Sequence, residues 1–247
     1  SMVPQVGVVL AAVGKGWSLT PLPEHYTLEH FRQVSIETPR FIINSLLYSG
    51  IAVSICLVVG VPMAWIMART QTVGRGAMDA LTTLILAIPG TAIGIAYIRA
   101  FHFPLPSIDV ALTSMWIILP LVLAVRRLPY TVRSSYSSLL LVHKPMEEGP
   151  ANVGATKLRT FRDITAPLVW KGILVGAMFS FIMSIQEASA TLFLTLGGWE
   201  MIPFAIFTYY ISGSHGQAAA LGVMLIALCA VSLYLVNRTA GARVGGL

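Results

Sequence analysis

The sequence predicts an all-α membrane protein, a bundle of five full transmembrane helices preceded by a shortened first one. Three observations carry that expectation. The 247-residue chain is 56% hydrophobic and only 11% charged, whereas a soluble domain carries about 25% charged residues. Its mean hydropathy is +0.78, with apolar runs long enough to cross a bilayer at roughly 20 residues each. Its Lys and Arg residues gather in alternate connections, as the positive-inside rule requires.

The first apolar run, 3–13, is too short to span and reads as the stump of a truncated helix. Residues 14–40 form the next connection. Trp17 and Tyr26 suit the headgroup level, and Thr-Pro and Leu-Pro steps interrupt regular structure. Residues 1–40 are therefore expected to hold the truncated helix and an extracytoplasmic loop, and 41–247 the transmembrane domain. The full spans are 41–68, 77–101, 110–125, 164–194 and 217–236, the third reaching full length only with its flanks. Placing Lys15 outside, with Arg32, Arg40 and Arg99, puts Arg69 and Arg75 inside. Arg126, Arg127, Arg133, Lys144, Lys157, Arg159 and Arg162 of the long connection follow, as do Arg238 and Arg243 of the cytoplasmic C-terminus. The net charge of +6 thus belongs to a membrane topology and calls for no nucleic acid partner.

Several chemistries find no support. HExxH, GxSxG, GxGxxG and phosphate-loop motifs are missing, and the five histidines are scattered over different connections. Cys56 and Cys229 sit in separate apolar runs without CxxC spacing, and read as lipid- or core-facing thiols. A channel would need a repeated pore-lining pattern, and a membrane enzyme converging nucleophiles or metal ligands. Neither pattern is seen.

The connection at about 129–163 is far longer than a helical hairpin needs. Its apolar patches, 138–142 and Ala151, Val153, Ala155 and Leu158, mark it as a docking surface or a helix resting on lipid. Within it, Glu148, Gly154, Ile164 and Pro167 have the spacing of a known motif. With Asn44-Ser45, Ile88-Pro89-Gly90 and Gly94, they make the chain from Phe41 onward resemble the permease subunits of binding-protein-dependent ATP-binding-cassette (ABC) importers, whose motif is the EAA loop. Gly149, Pro150 and Ala166 depart from that motif, and Pro150 belongs in the first turn of a helix.

The resemblance implies a type I ABC importer permease in the bacterial inner membrane, a transport subunit and not an enzyme. It implies a coupling helix docking on a separate ATPase through Glu147, Glu148, Ala151, Gly154, Ala155, Leu158, Ile164 and Pro167, with Pro167 in the opening turn of the next span. The implied partners are ABC ATPase subunits that hold ATP and Mg, a second permease half or copy, a periplasmic binding protein and membrane lipid. No cofactor is expected in this chain. The texture of 202–206 and 218–222 looks most like the ferric-iron group, whose permeases often fuse two such halves, and the truncated first helix fits either the C-terminal half of such a fusion or a separate subunit. Phosphonate, polyamine, thiamine, sulfate and sugar importers share the design.

Polar residues inside spans complete the reading. Gln186 and Glu187 interrupt 164–194, either lining or gating the translocation pathway or making a hydrogen-bonded helix contact. Gly172, Gly176, Ser180, Ser184 and Ala188 form a small-residue stripe for close packing. Pro89 and Gly90 permit a kink, beside the pathway or as a static bend. The topology has a direct test in a background lacking Cys56 and Cys229. Lys157→Cys should react with an impermeant thiol reagent in inverted vesicles and stay unlabelled in intact cells.

Overall fold

The computed structural model describes residues 2–17, 22–71, 73–104, 109–142 and 156–240. Helix α1 (Val3–Val13) opens on Pro4, where a missing N–H costs nothing. Strand β1 (Gly14–Lys15) pairs antiparallel with β2 (His25–Tyr26), Gly14 opposite Tyr26. Helix α2 (Glu29–Arg32) follows and runs into a π turn, Gln33–Glu37. The connection expected to be irregular is thus partly ordered. Thr27 accepts the Glu29 N–H at 3.1 Å, and Arg32 donates to Glu29 at 2.8 Å. That hydrogen bond holds the Glu29 carboxyl below its ordinary range.

Helix α3 (Arg40–Arg69) matches the first expected span. The second is two helices, α4 (Arg75–Ala87) and α5 (Gly90–Phe101). Pro89 has no N–H and drives Ile88 to an extended φ of −82° and ψ of 127°. The third expected span is also displaced. Leu112–Ser114 is a single 3₁₀ turn, and helix α6 (Ile118–Leu140) starts late and runs far into what was expected to be loop. The arginines and serines after Val125 lower the hydropathy of that stretch without opposing a helix.

Helix α7 (Lys157–Thr160), a π turn (Phe161–Thr165) and α8 (Ala166–Ile185) follow one another directly. Helices α9 (Thr191–Leu194), α10 (Ile202–Ile211) and α11 (His215–Ala240) complete the described chain. Among the described residues, Arg40–Arg69, Phe161–Ile185 and His215–Arg238 are long and apolar enough to cross a membrane. The broken pair α4 and α5 makes a fourth if it forms one span.

The chain divides into two units. The first comprises Ser1–Gly50, Gly90–Val122 and Ile185–Val231. Its core joins Ala12, Val34, Phe41, Ile202, Ala205 and Leu221, with Phe41 edge-on to Tyr209 at 6.1 Å. The second comprises Ile51–Pro89, Leu123–Ser184 and Ser232–Leu247. Its core joins Ala64, Met67, Val132, Leu139, Val142 and Val169.

Within the second unit, α6 is held on two sides by glycines. A Cβ at Gly60 of α3 would meet Leu128, Thr131 and Val132 at 3.2–3.3 Å. On the other side, a Cβ at Gly172 would overlap the Ser138 hydroxyl, and one at Gly176 would lie 2.9 Å from Ser134 Cβ and 3.1 Å from Thr131 Cα. The expected small-residue stripe is therefore a helix seam between α6 and α8 at Gly172, Gly176 and Ser180. Such proximity lets buried hydroxyls find partners. Thr131 and Ser180 hydroxyls lie 2.9 Å apart, Ser134 donates to the Gly172 carbonyl at 2.7 Å, and Ser180 to the Arg127 carbonyl at 3.1 Å. Ala188, the last member of the stripe, falls beyond the end of α8. Gly176→Val should lower stability by about 1–3 kcal/mol through overpacking, measured as a lower melting temperature of the detergent-purified protein.

Candidate functional site

Three places in the structure depart from plain helix packing, and each is built on a helix end. The first is the break after α8. The expected span 164–194 stops at Ile185, and Gln186–Ala190 leave the helix before α9 begins. Glu187, 4% exposed, lies at that break and not within a continuous helix. Its carboxylate accepts the Ser189 hydroxyl at 2.6 Å and the Ala190 N–H at 3.1 Å, while Thr191 donates its hydroxyl to the Glu187 carbonyl at 2.8 Å. Glu187 thus caps the turn that restarts the helix. Gln186 is exposed and donates to Cys229 Sγ at 3.3 Å. Both cysteines are free thiols.

Helix α5 packs directly on this break. Gly90, Ile93 and Gly94 are buried, and a Cβ at Gly94 would sit 2.9 Å from the Ala190 carbonyl oxygen. Only glycine permits that approach. The restart after Pro89 and the restart after Glu187 therefore meet in one unit, so Gly90 and Glu187 belong to one region. Irregular backbone at membrane depth is tolerated only when buried in protein or lining a cavity. Glu187→Leu leaves the Ala190 N–H without its acceptor and should cost about 1–3 kcal/mol. Glu187→Gln retains the acceptor oxygen and should stay near wild type in melting temperature and in reconstituted uptake, with Glu187→Leu falling in both.

The second place joins the start of α3 to the segment before α10. Asn44 Nδ2 donates to the Gly198 and Glu200 carbonyls at 3.0 and 3.1 Å. Buried Ser45 accepts the Ile202 N–H, the first of α10, at 2.7 Å. Gly198 has φ +96°, a left-handed conformation that favours glycine. Arg40 pairs with Glu200 at 3.5 Å. Beside them lies a cleft of about 230 Å³ lined by Thr38, Arg40, Phe41, Glu200, Phe204 and Tyr209. The Asn-Ser pair noted in the sequence is thus a clamp on a distant segment, which no local pattern reveals.

The third place is the C-terminal part of α6. Arg69, the last residue of α3, donates to the Leu139 carbonyl at 2.8 Å and the Val142 carbonyl at 3.0 Å. A cation there adds a donor to carbonyls at a helix end, and each charged bond contributes about 1.5–3 kcal/mol. From α4, Arg75 donates to the Tyr136 hydroxyl at 3.0 Å, and Arg133 of α6 meets Asp79 at 2.7 Å and Thr83 at 2.6 Å. The Arg133–Asp79 pair is roughly half exposed and contributes about 1 kcal/mol or less. Sequence reasoning missed this network. Its one local signal was Arg69 itself, a base at a helix C-terminus.

Of the residues expected to couple to an ATPase, Glu147, Glu148, Ala151, Gly154 and Ala155 lie outside the described residues. Leu158 falls in α7. Ile164 is half-buried in the π turn and Pro167 is exposed near the start of α8. Pro167 is the second residue of α8 and lies in its opening turn, with α7 and the π turn ahead of it. The wider π turn accommodates a residue that cannot donate to the preceding turn. Among the described residues, no cluster of His, Cys, Asp or Glu is arranged to hold a metal ion.

Long apolar helices, broken helices that restart against each other, and hydroxyl-paired helix seams define a multi-pass helical membrane protein of the type I importer permease fold. The chain belongs to the family of binding-protein-dependent transport system inner membrane components, whose profile matches residues 60–241. It is 27% identical over 194 residues to the ferric transport system permease protein FbpB of Actinobacillus pleuropneumoniae. That alignment covers 78% of this chain and 28% of FbpB, so the chain spans under a third of that relative's length. It is 29% identical over 209 residues to the molybdenum transport system permease protein ModB of Escherichia coli K12, covering 78% of this chain and 90% of ModB. In fold it resembles a chain of a bacterial ABC transporter involved in the import of the acidic polysaccharide alginate. There the TM-score is 0.68 at 13% identity, over 96% of this chain and 90% of that one.

Proposed function

We propose that this chain is the membrane permease half of an ATP-driven importer, carrying a small solute delivered by a binding protein on the outer side. ATP is hydrolysed on a separate subunit, and this chain moves the solute without chemistry of its own. The observation that carries the reading is the family match across residues 60–241, which takes in the Glu148, Gly154, Ile164 and Pro167 spacing. The broken helices suit it: Glu187 lies in a non-helical break packed against the start of α5 near Gly90, a polar interruption of the kind a solute pathway or gate requires.

In this reading the α6 to α8 connection faces the cytoplasm and its residues from about 147 to 158 dock on the ATPase. A second permease half or copy completes the pathway. The relatives are named for ferric and molybdenum transport, so the cargo class is a small inorganic ion, with ferric iron as the first solute to assay. Gly154→Trp provides the test. The variant should insert normally and either lose the copurifying ATPase or hydrolyse ATP without uptake. Wild-type copurification, ATPase rate and uptake together would overturn the coupling role.

A further inference from the structure

We propose that α3, through Arg69, and α4, through Asp79, grip one face of α6 so that this helix end and the α3–α4 hairpin move as a single body. The inference rests on the importer reading above and names the residues that pass the ATPase's motion into the membrane helices.

The geometry is one-sided. Arg133, Tyr136 and Leu139 follow at three-residue spacing along one oblique stripe of α6, about 120° wide, and Val142 lies in the turn that follows the helix. The Val142 N–H still bonds the Leu139 carbonyl at 3.2 Å, so the turn continues past Leu140. Every member of the stripe is held by α3 or α4. Arg133 meets Asp79 and Thr83, Tyr136 meets Arg75, Leu139 and Val142 meet Arg69. Arg75 sits in the first turn of α4, where a cation is disfavoured by the helix dipole. Its contact with Tyr136 supplies the reason for its place.

The attachment is stiff at Arg69 and compliant at Asp79. Arg69 holds two backbone carbonyls, which cannot rotate away as a side chain can. Met67 beside it is buried, as are Val132, Leu139 and Val142 on α6, all in one apolar cluster. The Arg133–Asp79 pair is solvent-exposed and screened by salt. The opposite side of α6 is sealed to α8 through Gly172 and Gly176. A push arriving at Val142 therefore has a rigid path into α3, the longest helix of the described chain.

The test uses the transporter reconstituted with its ATPase and binding protein, with iron uptake and ATP hydrolysis read in the same vesicles. Arg69→Gln should keep the ATPase bound and hydrolysing while solute moved per ATP falls about fivefold or more. Arg69→Lys, which keeps a charged donor, should recover part of that ratio. Unchanged uptake per ATP in a folded Arg69→Gln transporter overturns the proposal. Should Arg69→Gln fail to insert, the paired reversals Asp79→Arg and Arg133→Asp decide. Each alone should lower the ratio and the double variant should restore it, whereas no change in either single reversal overturns the grip. Gly154→Trp in parallel separates the two levels. If it uncouples and the Arg69 and Asp79 variants do not, the grip alone is wrong. If the wild-type chain binds no ATPase, the importer reading falls and takes this inference with it.

Discussion

This chain has few charged side chains, yet every helix end exposes backbone N–H and C=O groups that apolar surroundings cannot solvate. That constraint organises the structure. At several helix ends a polar side chain is found at the loose backbone group. Ser45 accepts the first N–H of α10, Glu187 that of Ala190, and Arg69 covers carbonyls at the end of α6. Asn44 takes the carbonyls of Gly198 and Glu200. Each of these is a polar residue in an apolar run or at its margin, and each is used on backbone instead of on solvent.

The same scarcity explains the seam between α6 and α8. Apolar contact alone gives little selectivity between helices when the surroundings are equally apolar, so close backbone approach and shared hydroxyls must supply it. Glycines at Gly172 and Gly176 create the proximity, and Thr131, Ser134 and Ser180 use it. Gly60 does the same for α3 against α6. Helix α6 is the least apolar of the long helices.

A rigid seam and a pair of interrupted helices place different demands on the sequence. The seam needs small side chains in register. The interruptions need a residue that breaks the helix together with one that re-satisfies the backbone. Pro89 with Gly90 and Glu187 with Thr191 fill those roles by different chemistry. One removes a donor, and the other offers a carboxylate that competes for it.

The sequence by itself determined the membrane class, α1, α3, α11 and the packing role of the glycine stripe. All of these rest on hydropathy and on spacing within one helix, quantities that are local. It also carried the motif spacing that marks the family. Only the tertiary structure decided that Glu187 is a cap at a helix break, that α6 runs on to Leu140, that Pro167 follows a π turn, and that Arg69 and Asn44 hold segments far away in the chain. The physical reason is common to them. A polar side chain in an apolar run must find a partner, but which partner depends on what the fold brings within about 3 Å, and no periodicity encodes that.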